Sequence, residues 1–166
     1  MEPDDTIDAI RSKDAWTPAD VERLRDLTLS YPDDPYLWDI LGDIAQMVER
    51  SAIGNDYSLR CYLNAVAADP NYGPAHNSLG YWYDIAEDYV AAKRHFEIAI
   101  ELGVGDTARI GLAQILAQMG RDDDAYTVLD GCDNTNSEHV AQVRREIAER
   151  LLGPYVDSDE ELQGGG

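Results

Sequence analysis

Three histidines, two cysteines, one triple-Asp run and one Asp/Asn-bearing polar run are the places in this 166-residue chain where chemistry could begin. His76, His95 and His139 stand far apart, with no His-x3-His pair and no HExxH run to seat zinc. His76 is expected to pack inside a hairpin of helices. His95 adjoins Phe96, and His139 opens a late helix. Cys61 and Cys132 have no CxxC partner and no neighbouring Lys or paired His to make a thiolate. Cys132 is expected in the core and Cys61 half-buried. Asp122-Asp123-Asp124 and Asp133-Asn134-Thr135-Asn136-Ser137 lack the spaced ligands, central Gly and closing Glu of a calcium loop. They read better as solvated turns that cap the helix after them. No glycine-rich phosphate loop is present. Catalysis needs converging groups, and none stand out. The expectation is a protein that is not an enzyme, with no metal and no cofactor.

The elements that could position such residues are helices. Ala, Leu, Arg and Glu fill long stretches, whereas a single Phe, seven Pro and scarce Val or Ile runs argue against a sheet. Thirteen basic residues face 33 acidic ones, a formal net charge of −20. That field repels phosphate backbones and anionic lipid, so neither nucleic acid nor membrane is an expected partner. Lys13 and Lys93 are the only lysines, and Asp outnumbers Glu two to one. Adaptation to a saline setting and a GC-rich genome with simple solubility both account for this. Met1-Glu2-Pro3-Asp4-Asp5 lacks the basic and apolar regions of a secretory signal, and no apolar run approaches a bilayer span. With unpaired cysteines, a cytoplasmic location is expected.

The strongest signal is internal repetition. Counting from Leu79-Gly80, Ala92, Phe96 and Ala99 follow Gly80 at the same offsets as Ala125, Leu129 and Cys132 follow Ala113 in Leu112-Ala113. Small side chains let paired helices approach, and large ones fill the space between neighbouring pairs. An earlier copy opens Trp38-x2-Leu41-Gly42, and Ser58, Tyr62 and Ala65 supply its small–large–small set four residues late. A turn-like insertion around Ile53-Gly54-Asn55-Asp56 accounts for the delay, and Asp69-Pro70 closes the copy. Upstream, Ile7, Ile10, Leu24 and Leu27, with Thr17-Pro18 as a helix start, outline a degenerate hairpin. Val140, Val143, Ile147 and Leu151 mark one face of a last amphipathic helix.

These residues resemble the tetratricopeptide repeat, whose copies open W-x2-L-G and recur at about 34 residues. The resemblance covers 35 to about 137. The departures are Ala113 for Gly, Val104 where a closing Pro is usual, and the insertion. It implies an all-α superhelical stack of antiparallel helix hairpins: about three repeats plus a degenerate N-terminal hairpin and a C-terminal capping helix. The expected organisation is 1–34 degenerate hairpin, 35–152 solenoid with its cap, and 153–166 an acidic, Gly-ended mobile tail.

The resemblance further implies that the first helices of successive hairpins line a concave groove that receives peptides. Helical spacing then selects the groove residues as those that avoid the packed set. With Trp38, Leu41 and Ala45 packed, Tyr36, Asp39, Asp43, Gln46 and Met47 face the groove. With Leu79, Gly80 and Tyr83 packed, Asn77, Tyr81, Asp84 and Ile85 do. The third copy offers Thr107, Ile110, Gln114 and Gln118. An acidic groove with amides for backbone bonding suits a basic or neutral peptide segment. Co-chaperones of this family that hold an acidic C-terminus carry Lys, Arg and Asn there. The matching positions here are Asp39, Asp43, Asn77, Ile110 and Gln114, so that ligand is not expected. Trp82 lies beside the groove, as a second contact, a dimer anchor or a seal between hairpins. The leading expectation is a protein–protein interaction adaptor or scaffold. The alternatives are a dedicated chaperone of a secreted or otherwise insoluble client and, from another class, an enzyme or its regulatory subunit. A homo-oligomer is compatible with the sequence.

Overall fold

The computed structural model describes residues 3–13, 15–48 and 56–152. The insertion residues Ile53, Gly54 and Asn55 and the tail from Gly153 onward lie outside them. Helices follow in chain order: α1 Pro3–Arg11, α2 Pro18–Ser30, α3 Pro35–Met47, α4 Tyr57–Ala68, α5 Gly73–Ile85, α6 Tyr89–Glu101, α7 Asp106–Gln118, α8 Asp122–Asp130 and α9 Glu138–Ala148. They pair in sequence: α1 with α2, α3 with α4, α5 with α6 and α7 with α8, while α9 lies on both α7 and α8. Successive first helices also touch, α3 on α5 and α5 on α7. This is the stack of antiparallel hairpins expected from the repeat.

Local chemistry explains where the helices begin and end. Asp34 caps α3 by accepting from the Tyr36 and Leu37 amides, with Pro35 at the first helical position. Asp88 caps α6 through Ala91, and Ser137 caps α9 through Val140. Thr17 donates both its amide and its hydroxyl to Asp20, whose buried carboxylate also pairs with Lys13. The Lys13 bond chiefly holds that carboxyl below its ordinary range. Asp122, Asp123 and Asp124 sit in the first turn of α8, not at its cap, which is Arg121; there they complement the helix dipole. The Asp133–Ser137 stretch is held differently from a simple turn. The Asp133 and Asn134 amides donate to the Asp106 carboxylate at 2.7 and 3.0 Å, tying the α8–α9 loop to the start of α7. Helices α6 and α7 end in left-handed glycines, Gly103 and Gly120, whereas Glu87 takes the same role after α5 at a φ of 60°.

The small–large–small pattern has a direct physical meaning. A Cβ on Gly80 would come within 2.6 Å of the Phe96 ring, and one on Gly111 within 2.5 Å of the same ring. Phe96 is therefore clamped between the first helix of its own hairpin and that of the next. Gly42 meets Tyr62 in the same way one hairpin earlier. Ala92, Ala99, Ala125 and Leu129 are fully buried, and Cys132 nearly so. The apolar core falls into two clusters. One joins Ile7, Ile10, Val21, Leu24, Leu37, Ile40, Leu41 and Ile44. The other runs from Ala92 and Phe96 to Val140, Val143 and Ile147, so α9 covers the last face of the stack. Cys61 proves more buried than half, at 3% exposure, and burial pushes its thiol up to about 12. Trp38, expected in the packed set, stays half-exposed because its indole N–H reaches out to the Pro32 carbonyl at 2.7 Å.

Candidate interaction surface

Aligning the first helices on Leu41-Gly42, Leu79-Gly80 and Leu112-Ala113 puts their groove-side residues in rows. Asp39, Asn77 and Ile110 occupy one register position on α3, α5 and α7; Asp43, Tyr81 and Gln114 occupy the position one turn further on. Since those helices stand side by side, each row runs across the stack.

The residues named for the groove meet different fates. At the α3 end, Met47 is 73% exposed and Asp43 is exposed, while Tyr36 and Gln46 are partly covered. A pocket of about 350 Å³ opens here, lined by Arg11, Trp16, Ile40, Asp43, Ile44, Gln46 and Met47. Arg11 donates to the Tyr36 hydroxyl at 2.6 Å. The Tyr62 hydroxyl, reaching through from α4, lies 3.0 Å from Asp43 Oδ1 and 3.0 Å from Gln46 Oε1. One phenolic proton serves one acceptor; the carboxylate takes it, and the Gln46 amide can be turned to donate in return. Although solvent reaches Asp43, the protein packed around its inner side raises its carboxyl above the ordinary value, opposed by this Tyr62 bond and by Arg11.

Asp39 does not stand open in a groove. It is 7% exposed, buried at the joint where α3 meets α5, and its Oδ1 has no hydrogen-bond partner among the described residues. Burial first, then the Asp43 charge, pushes its carboxyl up to about 7, with Ser78 of α5 opposing. An unmet buried acceptor of this kind costs about 1–3 kcal/mol. Asn77, at the same register one hairpin on, likewise has a buried Oδ1 without a partner.

Further along, the groove residues are already engaged. Gln118 donates to Asp84 at 3.0 Å across α5 and α7, and the Tyr81 hydroxyl donates to the Thr107 carbonyl at 3.1 Å. The Tyr81 ring meets Phe96 edge-on. Ile85 remains 57% exposed, and Gln114 is partly covered. Trp82 packs edge-on against Tyr83, itself stacked on His95.

A contact that sequence reasoning missed lies behind this surface. His76 Nδ1 and His95 Nδ1 are 3.1 Å apart, and His76 Nε2 lies 3.1 Å from the Pro70 carbonyl. The ring centres are 5.3 Å apart, so both nitrogens sit close to the line joining them. That is the head-on geometry of an N–H···N bond, too close for a metal between the rings. His76 donates to Pro70 through Nε2, which leaves its Nδ1 to accept from His95. Burial, then His76, pushes His95 down to about 4. The signal was present in the spacing: His76 lies three residues before Leu79 on the packed face, and His95 three after Ala92 on the facing helix. Among the described residues no group of three or more His, Cys, Asp or Glu is placed to hold a metal ion, and no helix is long and apolar enough to cross a membrane.

Helix hairpins stacked with their first helices in contact define the tetratricopeptide-repeat fold, and this chain has it. A thermophilic TPR protein of Thermus thermophilus superposes on it with a TM-score of 0.64, covering 81% of this chain and 73% of its own at 21% identity. A stretch of 61 residues, 37% of this chain, is 36% identical to Superkiller protein 3 of Schizosaccharomyces pombe, of which it spans 4%. No family model matches the chain.

Proposed function

We propose that the protein is a non-catalytic interaction module of the cytoplasm that receives an extended basic or neutral peptide segment across the first-helix face. The observation that carries this reading is the exposed, acidic α3 end of the two rows, where Asp43 and Met47 flank a pocket beside half-covered Tyr36 and Gln46. Stacked hairpins build extended concave surfaces of this kind. An exposed carboxylate beside aliphatic and aromatic surface suits a chain with basic side chains and an apolar anchor. The net charge of −20 favours encounter with such a segment and disfavours an acidic one.

The test is a panel of ten-residue Ala/Gly/Ser peptides carrying either Arg or Glu, with binding read by fluorescence anisotropy. Arg peptides should bind, weaken as salt rises, and weaken further with Asp43→Lys but not with Asp26→Lys on the exposed side of α2. Equal binding of Glu peptides, or indifference to Asp43→Lys, would remove the reading.

A further inference from the structure

We infer that Asp39 and Asp43 form a subsite for one basic side chain, an ammonium or guanidinium group, of the segment that lies on the first-helix face. This deepens the function proposed above and rests on it. The two carboxylates are one helical turn apart, so both project from the same face of α3. Like charges so placed repel and call for a cation between them. Among the described residues Arg11 bears on Asp43 while giving one of its donors to the Tyr36 hydroxyl at 2.6 Å, but no cation is among the groups that bear on Asp39.

Three further observations point to a donor-rich ligand group. Asp39 is more than nine-tenths buried, yet its Oδ1 has no partner among the described residues. Asn77 repeats the deficit at the same register on the next hairpin, so unmet acceptors continue along the row. Asp43 is exposed beside them, giving a cation an approach from solvent. Lys and Arg carry only donors, three and five respectively, and match a set of orphaned acceptors. Guanidinium also stacks on aromatic rings, and the Tyr72 phenol lies close enough to Asp39 and Asp43 for their charges to add to the burial that raises it.

The groups facing Asp39 set a proton linkage. They are Asp43 on α3, Tyr62 from α4, Ser78 from α5 and Tyr72 in the α4–α5 link, while Arg11 from α1 bears on Asp43. No cation bears on Asp39 directly, so it holds its proton to near neutrality and a bound cation displaces it.

The probe is N-acetyl-arginine methylamide, compared with N-acetyl-citrulline methylamide, which has the same shape without the charge. Titration into the intact protein is followed by carboxyl ¹³C NMR. The arginine probe should shift the Asp39 and Asp43 carboxyls and the Tyr62 ring, saturably, and the citrulline probe should not. Binding should be about tenfold tighter at pH 8 than at pH 6, as the ionised fraction of Asp39 rises. Asp39→Asn should flatten that dependence, and Asp43→Asn should weaken binding at least about tenfold. Equal shifts from citrulline, or shifts at other carboxylates with Asp39 and Asp43 still, would overturn the subsite. The wild-type spectra decide this even if Asp39→Asn fails to fold. A preference for Arg peptides without these shifts would leave the interaction face standing and remove the subsite alone.

Discussion

The same joint is built twice in this molecule, once around Tyr62 and once around Phe96, and the two are finished differently. In each, an aromatic ring from a second helix packs on a glycine of its own first helix, Gly42 or Gly80. The Phe96 joint is closed on its far side by Gly111, and two bonds, Tyr81–Thr107 and Asp84–Gln118, tie its groove edge to α7. At the Tyr62 joint the position equivalent to Gly111 is Ser78, and a hydroxyl reaches Asp43 and Gln46. Beside it Asp39 is buried with an unmet oxygen. Each joint leaves one buried acceptor without a partner among the described residues, Asp39 at the first and Asn77 at the second. Only the first is a carboxylate, so the greater desolvation cost falls at the Tyr62 joint, where the binding surface is proposed.

The largest expected effect tests the structural joint. Phe96→Ala should cost about 3–5 kcal/mol in urea unfolding, because it empties a site bounded by two glycine-bearing helices. A loss below 1 kcal/mol would mean that the clamp is not what holds α5, α6 and α7 together.

Gly111→Ala should cost about 1–3 kcal/mol, since its Cβ would fall within 2.5 Å of the Phe96 ring. Ser78→Ala, at the matching position of the Tyr62 joint, should cost under about 1 kcal/mol. Equal losses would erase the distinction between the joints.

Acidity separates the two regions next. Asp39 binds its proton more tightly folded (about 7) than at its ordinary 3.8, so between those values the native state holds the extra proton and stability falls as pH rises. Asp39→Asn should therefore stabilise the protein at pH 8 by roughly 1–2 kcal/mol and change little at pH 4. His95 has the opposite sign: its folded value of about 4 lies below its ordinary 6.5, so its contribution is lost as pH falls through that window. His95→Gln should flatten the acid side of a melting-temperature profile, and an unchanged acid slope would discard the buried neutral pair.

The smallest change is the most local. Tyr62→Phe should cost about 0.5–1.5 kcal/mol while lifting the Asp43 carboxyl further, because the bond that opposes its burial is gone. An unmoved Asp43 titration by NMR would show that the hydroxyl does not hold that carboxylate.

Much of the fold was legible beforehand. Gly80, Ala92 and Ala99 fall where helices approach most closely, and a spacing rule finds such positions because helix contact tolerates only small side chains there. The insertion before α4 was readable from Ser58, Tyr62 and Ala65 arriving four residues late. Surface residues were less legible. Asp39 and Asp43 share a face and a charge, yet one is buried and the other exposed. Periodicity gives the direction of a side chain around its own helix, whereas exposure depends on how close the next helix stands.

The sequence by itself determined nine described helices, their pairing and the small–large–small seams, since each follows from spacing along one chain. Only the tertiary structure decided that His76 meets His95, that Tyr62 reaches Asp43, and that Asp39 keeps an unpaired oxygen. Those depend on the distance and tilt between helices, which the packing of every side chain in the joint sets together.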